Sequence, residues 1–172
     1  MILEVDRKYL EISDLKNLNP QKKPNNNCNV SKIDPPDFQI NKFFYKQIGK
    51  KYRWVDRLIW EDAEWIKYTN NLKVNTFVLK EKSEIAGYFE QIVDLEKKDC
   101  EIAYFGILED YFGKKYGSYL LSEAIKISLN LNNRVWVHTC SLDHKHALSN
   151  YISRGMKIFK SEKIKIKTSL VG

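Results

Sequence analysis

Residues 100–155 constrain the fold more than any other stretch of this sequence. Cys100–Leu108 is a nearly continuous β-favouring run. It passes through Glu109-Asp110-Tyr111 into a glycine-bearing turn, Phe112-Gly113-Lys114-Lys115-Tyr116-Gly117-Ser118. An amphipathic helix is predicted next, over about Gly117–Leu131, with Leu120, Leu121, Ala124, Ile125, Ser128 and Leu131 on one face. Arg134–Cys140 reads as a buried strand, and a second helix over about Lys145–Arg154 stops at Gly155. Two short strands, Met156–Lys160 and Lys163–Lys167, complete a β-α-β-α-β tail.

The rest of the chain supplies the start of a sheet. Ile2, Glu4 and Asp6 alternate with Leu3 and Val5 in a first strand. Residues 14–33 are polar and Asn-rich and read as a long loop with one short helix near its start. Asp34 before Pro35 and Pro36 is a helix-start signal. The helix would carry Phe38, Ile40, Phe43, Phe44 and Ile48 and stop at Gly49. A short helix over about Asp62–Asn70 would turn Trp65 and Ile66 inward. Asn75–Leu79 and Glu84–Val93 form a hairpin that continues into Cys100–Leu108. The order is strand, two helices, a three-stranded meander and the alternating tail. It predicts an α+β fold with a mixed, mostly antiparallel central sheet flanked by helices. One domain over residues 1–172 is expected, with no internal repeat.

Composition narrows the function classes. No apolar run approaches the ~20 residues needed to cross a bilayer, so no membrane partner is expected. Charges interrupt the apolar N-terminal stretch, which does not read as a signal peptide. The three cysteines, Cys28, Cys100 and Cys140, argue against a disulfide framework and for a reducing, cytoplasmic setting. The net charge is +7, but the lysines are scattered and not clustered with aromatics, so nucleic acid is not an expected partner. A homodimer is left open.

The Gly113–Ser118 turn has a chemical reading. A strand-to-helix turn aims several backbone N–H groups at one point, and with the helix N-terminus they suit phosphate oxygens. The dipole alone adds only about 0.3–1 kcal/mol, so the donors must carry the binding, with Lys114 and Lys115 adding charge. A tight turn with no ligand is the alternative.

The segment resembles the GNAT superfamily of N-acetyltransferases. Members carry Gln/Arg-x-x-Gly-x-Gly/Ala between the fourth strand and the third helix, where backbone amides hold the pyrophosphate of acetyl-CoA. Phe112, Lys115 and Gly117 occupy those positions, and only Gly117 matches; Gly113 matches a further family glycine. Tyr116–Ala124 fits the family's helix. Members also carry Asn-x-x-Ala-x-x-Leu-Tyr-x-x-x-Gly-Phe. Here His144–Met156 keeps Ala147, Tyr151 and Gly155, with His144, Asn150 and Met156 in place of Asn, Leu and Phe. The longer stretch His138–Met156 is similar to a bacterial GNAT subgroup of unsettled substrate. The resemblance covers residues 75–168 and implies acetyl-CoA as cosubstrate, in a cleft between the fourth and fifth strands. The cofactor would be held by the backbone of Phe105, Gly106, Ile107 and Leu108, by Gly113, Lys114, Lys115, Tyr116, Gly117 and Ser118, and by His144.

Acetyl transfer to an amine sets its own demands. Deprotonating a lysine-like amine at pH 7 costs about 4–5 kcal/mol. The enzyme must take that proton, stabilise the developing oxyanion and protonate the departing thiolate. Glu101 stands eleven residues before Phe112, the spacing of the catalytic glutamate in histone-acetylating members, and is the candidate base. A solvated strand-start role is its alternative. Glu90 on the preceding strand is the reserve base or a ligand for the substrate ammonium, and Tyr88 beside it is a further candidate for binding the substrate. Tyr151 matches the family's general acid. Trp54, Asp56, Arg57, Trp60 and Trp65 cluster between the early helices, a region that forms part of the acceptor site in the family. Trp54 and Arg57 are the substrate-side candidates, and packing is the other role open to these tryptophans. His138, Cys140, His144 and His146 lack a paired Cys-x-x-Cys element, and no metal is expected. The expected function is acetylation of a primary amine of a small molecule. A protein lysine or N-terminal acetyltransferase and a non-catalytic acyl-CoA-binding module are the competing readings.

Overall fold

The structure is a computed structural model that describes residues 1–167. The strands are β1 (Ile2–Ile12), β2 (Cys28–Lys32), β3 (Val74–Glu81), β4 (Glu84–Asp94), β5 (Asp99–Ile107), β6 (Arg134–Cys140) and β7 (Lys157–Lys167). They form one sheet in the order β2-β3-β4-β5-β6-β1-β7. Neighbours run antiparallel except β5 and β6. The expected mixed α+β sheet is present. No helix among the described residues is long and apolar enough to cross a membrane.

Helices cover both faces. Helix α3 (Tyr116–Leu131) lays Leu120, Leu121, Ala124 and Ile125 onto Leu10, Phe89, Ile102 and Val135. Each such side chain, fully buried, contributes roughly 1.5–3 kcal/mol. Helix α4 (Ala147–Ser153) adds Tyr151 to the same core. On the opposite face, α1 (Phe38–Tyr52) packs Phe44 and Ile48 against Val78 and Tyr88. Helix α2 (Asp62–Thr69) buries Trp65 beside Tyr45. Central β4 is buried on both faces from Ala86 to Gln91.

Several sequence expectations are corrected. Cys28–Lys32, assigned to the loop, is strand β2 and pairs with β3, so the parallel pair β5–β6 is the fifth and sixth strand. Asp37, not Asp34, caps α1, because its carboxylate accepts from the Gln39 amide at 3.1 Å. The helix runs through Gly49 and ends where Arg53 adopts φ 55°. Gly49 serves close approach instead: a Cβ there would lie 2.6 Å from Trp54 Cβ. The buried stripe of α1 is Asn41, Phe44, Tyr45, Ile48 and Gly49, which leaves Phe43 40% exposed. Ile66 of α2 is likewise 41% exposed. The two expected C-terminal strands are one, β7, with an irregularity opposite Tyr9/Leu10.

The chain order of the sheet shapes the site. The N-terminal strand β1 lies between β6 and β7, pairing with both. The segment after it crosses the end of α4, where Asn19 donates to the Arg154 and Ser153 carbonyls. Gly155 makes that crossing possible. Its φ is +106°, and a Cβ would lie 1.9 Å from the Asn17 carbonyl oxygen. Gly117, by contrast, has φ outside the left-handed region, and a Cβ would meet only Ile107 at 3.7 Å. Gly155→Ala should therefore lose roughly 2–4 kcal/mol in urea denaturation. Gly117→Ala should stay within about 0.5 kcal/mol of wild type or gain stability. Equal effects would contradict the packing described.

Candidate active site

Strands β5 and β6 pair only through Asp99↔Arg134, Cys100↔Val135 and Glu101↔Trp136. Arg134 fastens this closed end, binding Glu11 of β1 through Nε and Asp99 of β5 through one terminal nitrogen. Asn133 N–H donates to the Lys98 carbonyl at 2.7 Å. Beyond Glu101 the strands part. Among the described residues the edge of β5 facing β6 then has no strand partner, while β6 stays paired with β1. A cavity of about 750 Å³ opens along the gap.

A bulge in β5 sets which side chains share the floor. The β4–β5 register shifts so that Gln91 pairs with Ile102 but Glu90 pairs with Tyr104, leaving Ala103 as the extra residue. Ile92 pairs with Glu101. Glu101 and Tyr104 thus share the face of Ile92 and Glu90, although strict alternation would separate them. Glu101 Oε1 lies 3.7 Å from His138 Nε2. Burial holds the Glu101 carboxyl above the ordinary carboxylate value, and the Arg57 charge opposes this. Burial, then Arg7, pull the His138 imidazole below its ordinary value, against Asp143 and Glu162.

At the mouth, the chain leaves β5 through a 3₁₀ turn at Glu109–Tyr111 and enters α3. Gly113 has φ +79° and Lys115, the N-cap residue, φ 66°. These left-handed residues fold the turn back onto the helix start. Among the described residues no acceptor meets the amides of Gly113, Lys114, Lys115, Tyr116, Gly117 or Ser118; the first bonded amide is Tyr119, to the Lys115 carbonyl. Such a run of free N–H groups at a helix start is an anion cradle. Gly117, where a Cβ would meet only Ile107 at 3.7 Å, belongs to the same cradle.

Tyr151 projects from α4 into the cavity with its ring edge-on to Phe105 at 6.4 Å. Its hydroxyl has no hydrogen-bond partner among the described residues. Burial first and Asp143 second push that hydroxyl well above the ordinary tyrosine value, so it carries its proton at neutral pH. Next to it, Asn150 also lines the cavity, and its Oδ1 is buried with no partner among the described residues.

The wall opposite is the α1–α2 loop. Arg57 donates to Glu90 at 2.9 Å, and Glu90, 0% exposed, also accepts from Tyr68 at 2.6 Å and Asn41 at 2.8 Å. The Arg57 guanidinium lies 4.1 Å from the ring centroids of both Tyr68 and Tyr104. Burial works against its charge, but Glu90, with Tyr68 and Tyr104, outweighs it and raises its pKa. Tyr104 and Tyr45 hydroxyls both donate to Asp56 at 2.8 Å. Trp54 packs edge-on to Tyr104 at 4.9 Å.

Of the residues singled out from sequence, Trp54, Arg57, Glu101, Phe105, Gly106, Ile107, Gly113, Lys115, Gly117, Ser118, His144 and Tyr151 line the cavity. Tyr88, Glu90, Leu108, Lys114 and Tyr116 do not. Tyr88 stacks on Phe44 inside the α1 interface, and Glu90 sits behind the wall as the anchor of Arg57. Tyr116 accepts from Asn25 at 3.1 Å and holds the loop before β2. His144 packs against Phe112 and Tyr52 at the rim. Sequence reasoning missed Tyr104, Asn150, Arg7 and the role of His138 as partner of Glu101. Only a bulge signal could have flagged Tyr104.

Glu90 compensates a buried cation, so Glu90→Gln should leave Arg57 uncompensated and turn an amide N–H₂ toward its donors. A loss of about 3–5 kcal/mol is expected in chemical denaturation. A near-neutral result would contradict the anchoring role.

Residues 38–156 match the acetyltransferase (GNAT) family. No curated protein matches the sequence. Solved structures share the fold at low identity. A GCN5-related N-acetyltransferase from Sphaerobacter thermophilus superposes with TM-score 0.70 at 13% identity, over 94% of this chain and 50% of that one. A functionally unknown conserved protein from Staphylococcus epidermidis gives 0.62 at 16%, over 96% of this chain and 61% of its own. An aminoglycoside acetyltransferase from an uncultured soil metagenomic sample gives 0.63 at 16%, over 77% of this chain and 90% of its own. This chain therefore spans only half to about three-fifths of the first two proteins' length. With the family match covering more than half of the sequence, the chain belongs to the GNAT acetyltransferase family.

Proposed function

We propose that the protein moves an acetyl group from acetyl-CoA to a primary amine of a small molecule. The observation that carries this is the parted β5–β6 pair, which runs from the free amides at Gly113–Ser118 to the Tyr151 hydroxyl and the Glu101 carboxyl. The residues fit the cosubstrate. The amides and Lys115 would hold its pyrophosphate, the unpaired β5 edge would bond its pantetheine amides as an added strand, and the orphaned Asn150 Oδ1 offers one more acceptor. Acetyl-CoA supplies the activated acetyl thioester.

The chain's own groups then divide the work. Glu101, with His138 beside it, takes the proton from the acceptor ammonium; a carboxyl held above its ordinary value is a stronger base. Tyr151 donates its proton toward the sulfur. The burial that raises the phenol also raises the proton affinity of a thiolate beside it, so the transfer stays matched. The loop Trp54–Arg57 and Tyr104 close the acceptor side. A cavity of about 750 Å³ suits a small acceptor, as does the fold shared with an aminoglycoside acetyltransferase.

Two experiments test this. Gly117→Trp should fill the cradle and abolish thermal stabilisation by acetyl-CoA while the free protein melts as before; wild-type binding would remove the cradle. In thiol-release assays, Tyr151→Phe should lower kcat about 10²–10⁴-fold with little change in the acetyl-CoA KM. Wild-type kcat/KM should rise with pH as Glu101 ionises, with a midpoint above the ordinary glutamate value because burial raises its pKa. Glu101→Gln should erase that limb and recover only toward the amine's own pKa. Unchanged activity across pH would remove Glu101 from the mechanism.

A further inference from the structure

Arg7 lines the cavity floor from β1, the strand placed between β6 and β7. Three other cations among the described residues line the cavity, of which Arg53 stands at the left-handed end of α1. Arg57 is bound to Glu90, and Lys115 caps α3 at the amide cradle. Arg7 has neither ion pair nor hydrogen bond from its side chain among the described residues, and its Nε is buried without a partner. The nearby carboxylates are committed elsewhere. Glu162, its cross-strand neighbour on β7, accepts from Tyr9 at 2.6 Å and pairs with Lys160 at 3.4 Å. Asp143 accepts from the Thr139 hydroxyl and from the Cys140 amide. A guanidinium donor buried without an acceptor destabilises the chain unless a ligand meets it.

The position of Arg7 suggests which ligand. It pairs with Cys140, so His138 is its diagonal neighbour, roughly 7–8 Å away between backbones. His138 in turn lies 3.7 Å from Glu101. One small molecule can therefore reach both the proton-accepting pair and the guanidinium fork. A planar fork with free donors matches a carboxylate in two-point contact.

We propose that Arg7 binds a carboxylate of the acceptor, so that the acceptor is an amino acid or a related amine carrying a carboxylate within a few bonds of its nitrogen. This rests on the cleft being an acetyl-transfer site. The Glu101–His138 pair receives the ammonium end, Arg7 fixes the acid end, and together they orient the nitrogen toward Tyr151. Arg7 is thus a specificity residue; it touches neither the thioester nor the transferred proton.

The test uses the full chain, the common L-amino acids and their carboxamides, with acetyl transfer read as thiol release. Wild type should prefer the carboxylate member of at least one pair. Arg7→Gln should raise the KM for that member roughly 10–100-fold, leave its carboxamide and the acetyl-CoA KM nearly unchanged, and so erase the preference. Arg7→Lys should restore part of it, because charge returns without the fork. A second readout needs no turnover: the ¹⁵N-labelled Arg7 Nε–H resonance, assigned by its loss in Arg7→Lys, should shift on titration with the preferred amino acid and not with its carboxamide. Turnover limited to carboxamides, equal losses on both members, or an Nε–H resonance that no amino acid moves would overturn the proposal. Absence of acetyl-CoA stabilisation would instead sink the reading of the cleft, and the resonance titration would still decide whether Arg7 binds carboxylates.

Discussion

The parting of β5 and β6 is the constraint on which the rest of this structure depends. Parallel neighbours in a sheet normally stay hydrogen-bonded along their shared length, and an open strand edge invites other chains. Here pairing stops after Glu101↔Trp136. On the closed side, Arg134 ties β1, β6 and β5 together. On the open side, the bulge at Ala103 bends β5 while its other edge remains in register with β4. The gap is therefore held by fixed bonds on both flanks. The α3 start, Tyr151 and the Glu101–His138 pair all gain their relation to one another from this gap.

A second, buried network fixes the wall facing it. Glu90 is fully enclosed and receives Arg57, Tyr68 and Asn41. Arg57 is packed against Tyr68 and Tyr104. The α1–α2 loop would otherwise be a mobile connection, but its central cation is sunk into the sheet. Asp56 then stands at the rim, held by two tyrosine hydroxyls. Glu90 acts on the site through Arg57 and Tyr104, without touching the cavity.

Sequence periodicity located most elements because the tail alternates strand and helix with few breaks. It missed β2 because Cys28–Lys32 is short, flanked by asparagines and buried at Cys28 alone. It did not single out Tyr104, which shares a face with Glu101 only because of the bulge at Ala103. It ranked Tyr88 and Glu90 as substrate-side candidates because a carboxylate beside an aromatic on a central strand reads the same whether it faces a cavity or an arginine. Gly117 and Tyr151, which line the cavity, were singled out through the family resemblance, because each keeps its place in a family motif. Arg7 and His138 fill no such motif position. They meet Glu101 only because β1 inserts beside β6, a fact of topology that no local pattern records.

The central claim is that the gap between β5 and β6 is the seat of an acyl-CoA thioester. Backbone hydrogen exchange, followed residue by residue with and without saturating acetyl-CoA, addresses it most directly. The account predicts added protection concentrated at Ile102–Ile107, whose edge toward β6 is unpaired, and at Gly113–Ser118, whose amides are free. The α2 helix and the β1–β7 ladder should change little. Protection spread evenly over the chain, or confined to α1 and α2 with Gly113–Ser118 unaffected, would contradict it.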